Sequence, residues 1–303
     1  MRLSTSTNIM DRYQKVQSAV SMEDCIRRCH AAGYRVLDMN CHDMSNPGMP
    51  LAQDNWEAWA HHVADLAAEL GIEFSQSHAH FYHFLHPDLQ NLAWHEELLR
   101  RSIDCSAILG VRWMTVHAAT EAQTKGFSHA RSKRGNLEYF PPFFERALKK
   151  GVGIVLENMF DPNPLQRTYT ASPEDLLDLV DAFHDARIGV CWDFGHANLV
   201  GIDQNMSLLQ VGSRLKSTHV SDNHGTSDEH LLPFYGLMDW QPLMNTLKQI
   251  GYAGDLTFEI TPFLDRVPPA IRDTALRHTV EVGQYLMAMA ESDGTPELGM
   301  REG

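Results

Sequence analysis

A chain of 303 residues, 43% hydrophobic and 21% charged, can bury a full core without disulfide staples and has the size of a single α/β barrel. A net charge of −14 with neutral histidines disfavours phosphate backbones, so nucleic acid is not expected as a partner. No apolar run approaches the ~18 residues of a membrane helix, and the opening MRLSTSTNIM lacks the pattern of a signal peptide.

A soluble, cytoplasmic protein with no membrane partner is therefore expected. Its five cysteines (Cys25, Cys29, Cys41, Cys105 and Cys191) are odd in number and contain no CxxC pair, which fits reduced thiols.

Short apolar runs alternate with helical patterns eight times along the chain. The first strand is expected at 2–9 and its helix at 21–32, stopped by Gly33. A second strand at 34–40 leads to a helix at 54–70 and Gly71. The third, at 72–78, leads to a helix at 91–109 and Gly110. The fourth strand is 111–117, with a helix near 141–150. VGIVLEN at 152–158 is the clearest strand, and Ser172-Pro173 then opens a helix at 173–186. The last strands are 188–194, 215–221 and 255–261, with helices near 204–213, 239–250 and 269–290. Strands alternating with helices argue for a parallel sheet with right-handed crossovers. Eight such units in one chain, with no glycine-rich phosphate loop after the first strand, favour a closed (β/α)8 barrel over an open sheet. Residues 1–291 are expected to form this one domain and 292–303 a flexible tail. Two connections, 118–140 and 222–238, are long enough to act as lids over the catalytic face.

Ionisable residues end four of the apolar strands: Glu157 in IVLEN, Asp193 in GVCWD, His219 in KSTH and Glu259 in LTFE. The C-terminal strand ends of a βα barrel converge on one mouth. Three carboxylates there repel one another and are costly to bury unpaired. A divalent cation removes that penalty, and an oxygen-rich set with one imidazole suits Mn²⁺, Mg²⁺, Co²⁺ or Zn²⁺. Taken singly, a strand-end carboxylate is often a cap or an ion-pair partner; four on consecutive strands make a site. His78 and His117 end the third and fourth strands, and Asp228 and His230 form a D-x-H in the second long loop. These can orient the metal ligands, touch substrate, hold further metal or simply pack. His80, His83 and His86 follow the third strand and are candidates for the mouth, whereas His30, His42, His61, His62 and His184 read as surface. Trp113, Trp192, Phe194 and Trp240 are either apolar walls for a substrate or core. Lys125, Arg131, Lys133 and Arg134 either reach the mouth or form a solvated lid face.

The segments CWDFGHANL, HVSDNHGTSDEHLLP…MDW and TFEITP resemble those of the xylose-isomerase-like barrel superfamily. That group contains sugar and sugar-phosphate isomerases, ketose 3-epimerases and, more distantly, endonuclease-IV-type enzymes. The resemblance implies that Glu157, Asp193, His219 and Glu259 hold one divalent metal ion. It also implies that His196, in a D-x-x-H spacing, meets a small-molecule sugar substrate. A homo-oligomer is compatible with it, since such barrels commonly pair. The chain departs from the isomerase-like pattern in two places. LLPFYGLMDW replaces a Gly-Glu-Gly stretch, and no arginine follows shortly after His219, which argues against a strict ketose 3-epimerase. The reading that results is an isomerase or epimerase of a sugar or sugar derivative. It works through a metal-stabilised enediolate, with Glu157 and Glu259 as acid and base. Three rivals stay open: a lyase or dehydratase on a keto-sugar or inosose, an endonuclease-IV-type zinc phosphodiesterase, and a sugar-binding barrel without chemistry.

Overall fold

The computed structural model describes residues 1–10, 20–121, 126–162, 165–261 and 263–291. The expected tail at 292–303 and Lys125 lie outside them.

Eight parallel strands form the barrel: β1 (Arg2–Ser6), β2 (Val36–Asn40), β3 (Glu73–His78), β4 (Trp113–Val116), β5 (Gly153–Glu157), β6 (Ile188–Asp193), β7 (Leu215–His219) and β8 (Asp255–Phe258). They pair in the order β7-β6-β5-β4-β3-β2-β1-β8. The seam between β7 and β8 is closed by a bridge of Val220 to Phe258, with Val220 N donating to Thr257 O at 2.7 Å. Arg2 clamps the lower rim, donating to Asp255 at 2.8 Å and to Glu73 at 2.6 Å.

Around the sheet run α1 (Met22–Ala32), α2 (Cys41–Met44), α3 (Trp56–Leu70), α4 (Leu92–Ile108), α5 (His129–Tyr139), α6 (Pro141–Lys149), α7 (Pro173–Ala182), α8 (Phe194–Val200), α9 (Gln204–Val211), α10 (Trp240–Gln249) and α11 (Arg272–Glu291). Several helices start where local chemistry dictates. Ser21, Ser128, Ser172 and Asp203 each accept a backbone N–H in the first turn. The outer core lies between the helices and the sheet, where Ile26, Leu37, Leu256 and Leu276 are fully buried. Each such side chain contributes roughly 1.5–3 kcal/mol of hydrophobic stabilisation. No helix among the described residues is long and apolar enough to cross a membrane.

The eight expected strands and their helices are present, with ends differing by a few residues. Three short helices were not anticipated. α8 starts inside the same apolar run as β6, because Asp193 is both the last strand residue and the cap that accepts His196 N–H. α2 begins immediately after β2, capped by Asn40. α5 lies within 118–140, so that connection is not a structureless lid. Its buried Asn136 exchanges hydrogen bonds with both backbone groups of Ala119, at 2.9 and 2.7 Å, and pins it down.

Two register shifts interrupt the barrel. Ser75 is an extra residue in β3 opposite the Leu37–Asp38 step, and Lys216 is an extra residue in β7 opposite Val190–Cys191. Such bulges re-aim the side chains that follow them.

Candidate metal centre

Strand alternation turns Glu157, Asp193 and His219 inward at the top of β5, β6 and β7, and Glu259 follows β8 by one residue. One donor atom from each of the four lies within 4.8 Å of those of the others. Bonds from a divalent ion to such donors run roughly 2.0–2.6 Å, so a single ion can reach all four. Glu157, Asp193 and His219 are completely buried and Glu259 nearly so. Glu157 Oε1 accepts from His219 Nδ1 at 2.8 Å, and His219 Nδ1 lies 3.3 Å from Glu259 Oε2. Asp193 Oδ1 is used by the cap of α8, whereas its Oδ2 has no hydrogen-bond partner. A buried, unpartnered carboxylate oxygen facing two more carboxylates fits a cation.

The electrostatics describe the same strain. Burial alone would raise Glu157, but His219 and His117 hold it well below the usual carboxylate range. Burial pushes the Asp193 carboxyl up to about 6, against the pull of His196. Burial opposes a charge on His219, yet the surrounding groups, Glu259 and Glu157 among them, raise it well above an ordinary imidazole.

A ring of histidines surrounds this cluster. His117 Nε2 is 2.8 Å from Glu157 Oε2, and His78 Nε2 is 3.0 Å from His117 Nε2 and 3.4 Å from the same Glu157 oxygen. His78, His117 and Glu157 thus form a second group with metal-ligand spacing. On the other flank, His230 Nε2 is 3.0 Å and His196 Nε2 3.7 Å from Asp228 Oδ2. Burial works against a charge on His230, but Asp228 lifts it to about 9. The 222–238 loop holds Asp228 and His230 there because it is built around Asp222. That carboxylate accepts backbone N–H groups from Asn223, Phe234 and Met238 and the indole N–H of Trp240. Gly236 is required at the turn, since a Cβ would sit 2.1 Å from Asp222 Oδ1.

The cluster forms the floor of a cavity of ≈ 480 Å³ at the C-terminal mouth of the barrel. His78, His117, Glu157, His196, Asp228, His230 and Glu259 line it. So do residues the sequence reading did not single out, among them Asn8, Asn40, Phe81, Phe160 and Thr168. Asn40 carried a usable signal, since it ends the second strand as Glu157 ends the fifth. His42, read as surface, is instead half-buried in the cavity wall, where its ring stacks on Phe81 at 3.7 Å and Phe81 stacks on His117 at 4.4 Å. His83 also lines the cavity, His80 is buried against His95 at 2.9 Å, and His86 is exposed.

None of the four aromatic residues lines the cavity as an apolar wall, the first of the two readings left open for them. Trp113 is the first residue of β4, so it sits at the opposite end of the barrel, with Arg112 and Lys216 each 5.9 Å from its ring. Trp240 is buried at the start of α10, bonded to Asp222 at 3.0 Å, and Trp192 and Phe194 are core. Arg131, Lys133 and Arg134 of the fourth connection do not line the cavity either. Arg131 pairs with Glu121, and Lys133 with Asp178 at 2.7 Å.

Residues 26–281 match the family described as xylose isomerase-like TIM barrel. Two uncharacterised proteins are similar in sequence. One is y4fM of Sinorhizobium fredii, 30% identical over 181 residues (56% of this chain and 53% of that protein). The other is MJ1311 of Methanocaldococcus jannaschii, 32% identical over 134 residues (44% and 45%). The chain spans about half the length of these curated relatives. Among solved structures, a D-tagatose 3-epimerase-like protein superposes with a TM-score of 0.74 at 22% identity, covering 96% of this chain and 98% of that one. The 3-keto-D-glucoside 4-epimerase of E. coli gives 0.70 at 15% identity, covering 94% and 99%. At these identities the superpositions establish the fold. With 26–281 matched and all eight strands in place, the chain belongs to the xylose isomerase-like TIM-barrel family.

Proposed function

We propose that the chain is a divalent-metal-dependent epimerase or isomerase of a sugar or sugar derivative. The observation that carries this reading is the buried Glu157–Asp193–His219–Glu259 set at the floor of a cavity large enough for a small ligand. A bound ion there would polarise a carbonyl and its neighbouring hydroxyl, as a Lewis acid does. The chain's own residues supply the rest. Glu157, held ionised by His219 and His117, takes the proton from the carbon beside the carbonyl. His117, 2.8 Å from Glu157 Oε2 and facing the cavity, accepts or returns a proton at that oxygen. Glu259, three strands further round the barrel, serves the other face of the substrate carbon. Asn8, Asn40 and Thr168 offer hydrogen bonds to hydroxyls, and Phe81 and Phe160 offer apolar faces to a ring. The structural likeness to sugar epimerases and epimerase-like proteins supports this reading as an analogy of fold.

The test is incubation of the Mn²⁺-loaded protein with neutral keto-sugars in D₂O. Deuterium should enter the carbon beside the carbonyl and an epimer or isomer should accumulate. Loss of water or of a substituent would point to the lyase or dehydratase. Glu157→Gln and Glu259→Gln should each lower turnover by roughly 10²–10⁴-fold with an unchanged circular-dichroism spectrum. Full turnover in either variant removes the mechanism.

A second reading, an endonuclease-IV-type zinc phosphodiesterase, is favoured by one observation. The nine polar residues fall into three sets around the cavity: His78–His117–Glu157, the central four, and His196–Asp228–His230. The net charge of −14 opposes a nucleic-acid partner. Three zinc ions per chain together with phosphodiester cleavage would replace the first reading by the second.

A further inference from the structure

Asp38 lies in the middle of β2, inside the barrel and beneath the cluster, and only 1% of its surface is exposed. Neither of its carboxylate oxygens has a hydrogen-bond partner among the described residues. Buried carboxylates are rare unless something compensates them. Among the described residues the ionisable side chain that meets it is His219, whose Nε2 stands 3.5 Å from Asp38 Oδ2 and itself has no hydrogen-bond partner. The opposite ring nitrogen, Nδ1, faces Glu157 at 2.8 Å and Glu259 at 3.3 Å. The imidazole of His219 therefore spans the gap between a lone carboxylate and the metal-ligand set.

The backbone is arranged to put Asp38 there. The slip at Ser75 brings Asp38 into register with Gln76 on one side, while Ser6 is its partner on the other. Gln76 Oε1 is occupied by Thr257 Oγ1 at 2.9 Å, which leaves Nε2 as a donor without a partner, and the Ser6 hydroxyl is likewise unpartnered. Donors flank Asp38 in both neighbouring strands, an environment that suits an acceptor carrying charge.

We propose that Asp38 is the positioning residue for His219: it accepts the Nε2–H and so leaves the Nδ1 lone pair for a divalent ion. An imidazole that binds a metal ion keeps a single proton, and the partner of one nitrogen decides what the other can do. With no acceptor below the ring, the proton would settle on Nδ1, where Glu157 already accepts it, and the nitrogen facing the cluster would be blocked. This inference rests on the metal reading of the site.

Two measurements test it. In ¹⁵N-histidine-labelled protein loaded with Mg²⁺, the His219 ring, assigned by the loss of its signals in His219→Gln, should be protonated at Nε2 and not at Nδ1. Asp38→Asn keeps the shape and removes the charge, and Asp38→Leu removes all polarity. Each should bind Mn²⁺ about 10–100-fold more weakly than wild type, while the metal-free forms keep the wild-type circular-dichroism spectrum. A proton on Nδ1 in the loaded protein, or wild-type Mn²⁺ affinity in both variants, overturns the role of Asp38 and leaves the metal site standing. A wild-type chain that takes up no ion overturns the metal reading and this inference together.

Discussion

At the residue scale, the site is a set of opposed charges held in a buried floor, and burial shifts its neighbours as well. His80 is the clearest case outside the cluster. Burial, helped by the charge of His95, lowers its pKa to about 4. The sign of the pH effect follows directly. Above pH ~6.5, the ordinary histidine value, both folded and unfolded chains hold the ring neutral and His80 contributes nothing. As pH falls from there to about 4 the unfolded chain takes up a proton that the folded chain refuses, so stability drops across that window. Urea denaturation at pH 7 and pH 5 should show a smaller loss in His80→Gln than in wild type; equal losses would assign the acid sensitivity to other groups. Legibility at this scale depended on position in a strand. Glu157, Asp193, His219 and Glu259 could be read because each interrupts an apolar run at its C-terminal end. Asp38 could not, because a carboxylate in mid-strand looks like the polar half of an alternating pattern, and only the barrel's closure brings it under His219.

At the element scale, alternation of strand and helix carried most of the fold, and the failures have physical causes. Trp113 lies in the N-terminal half of the expected 111–117 strand, and the first residue of a barrel strand faces away from the mouth, so its place was legible from chain direction. α8 escaped notice because one residue, Asp193, ends a strand and caps a helix, leaving no turn between them. α5 is polar along most of its length, and its tie to Ala119 through Asn136 is a tertiary contact. The 222–238 connection shows how such a segment is held without regular structure, by four donors converging on Asp222. Trp240→Phe deletes one of them in a buried setting and should cost about 1–3 kcal/mol. Hydrogen exchange in 222–238 should rise at the same time, because Asp228 and His230 hang from that anchor. An unchanged exchange pattern would show that the remaining three donors suffice.

At the scale of the whole molecule, the cluster is a liability that a cation would turn into a support. Three buried carboxylates and the nearby Asp38 crowd around the His219 imidazole, in a chain already carrying −14. Ligand linkage sets the size of the effect: at an ion concentration of 100 times Kd the folded state gains about 2.7 kcal/mol. Treatment with EDTA should therefore lower the melting temperature by several degrees, and Mn²⁺ should restore it while NaCl at equal ionic strength does not. Equal recovery by NaCl would mean simple screening of surface charge.

The pairing of β1 with β8 has a consequence for how the chain is made. Ser4 and Thr5 face Thr257 and Phe258, about 250 residues apart in synthesis. Until the last strand emerges, the first one keeps a bare edge, and Glu259 is not yet beside His219. Closure of the ring and assembly of the candidate metal ligands are thus the same late event. A nascent chain stalled before β8 would carry three quarters of the ligand set on a sheet still open to pairing with its neighbours.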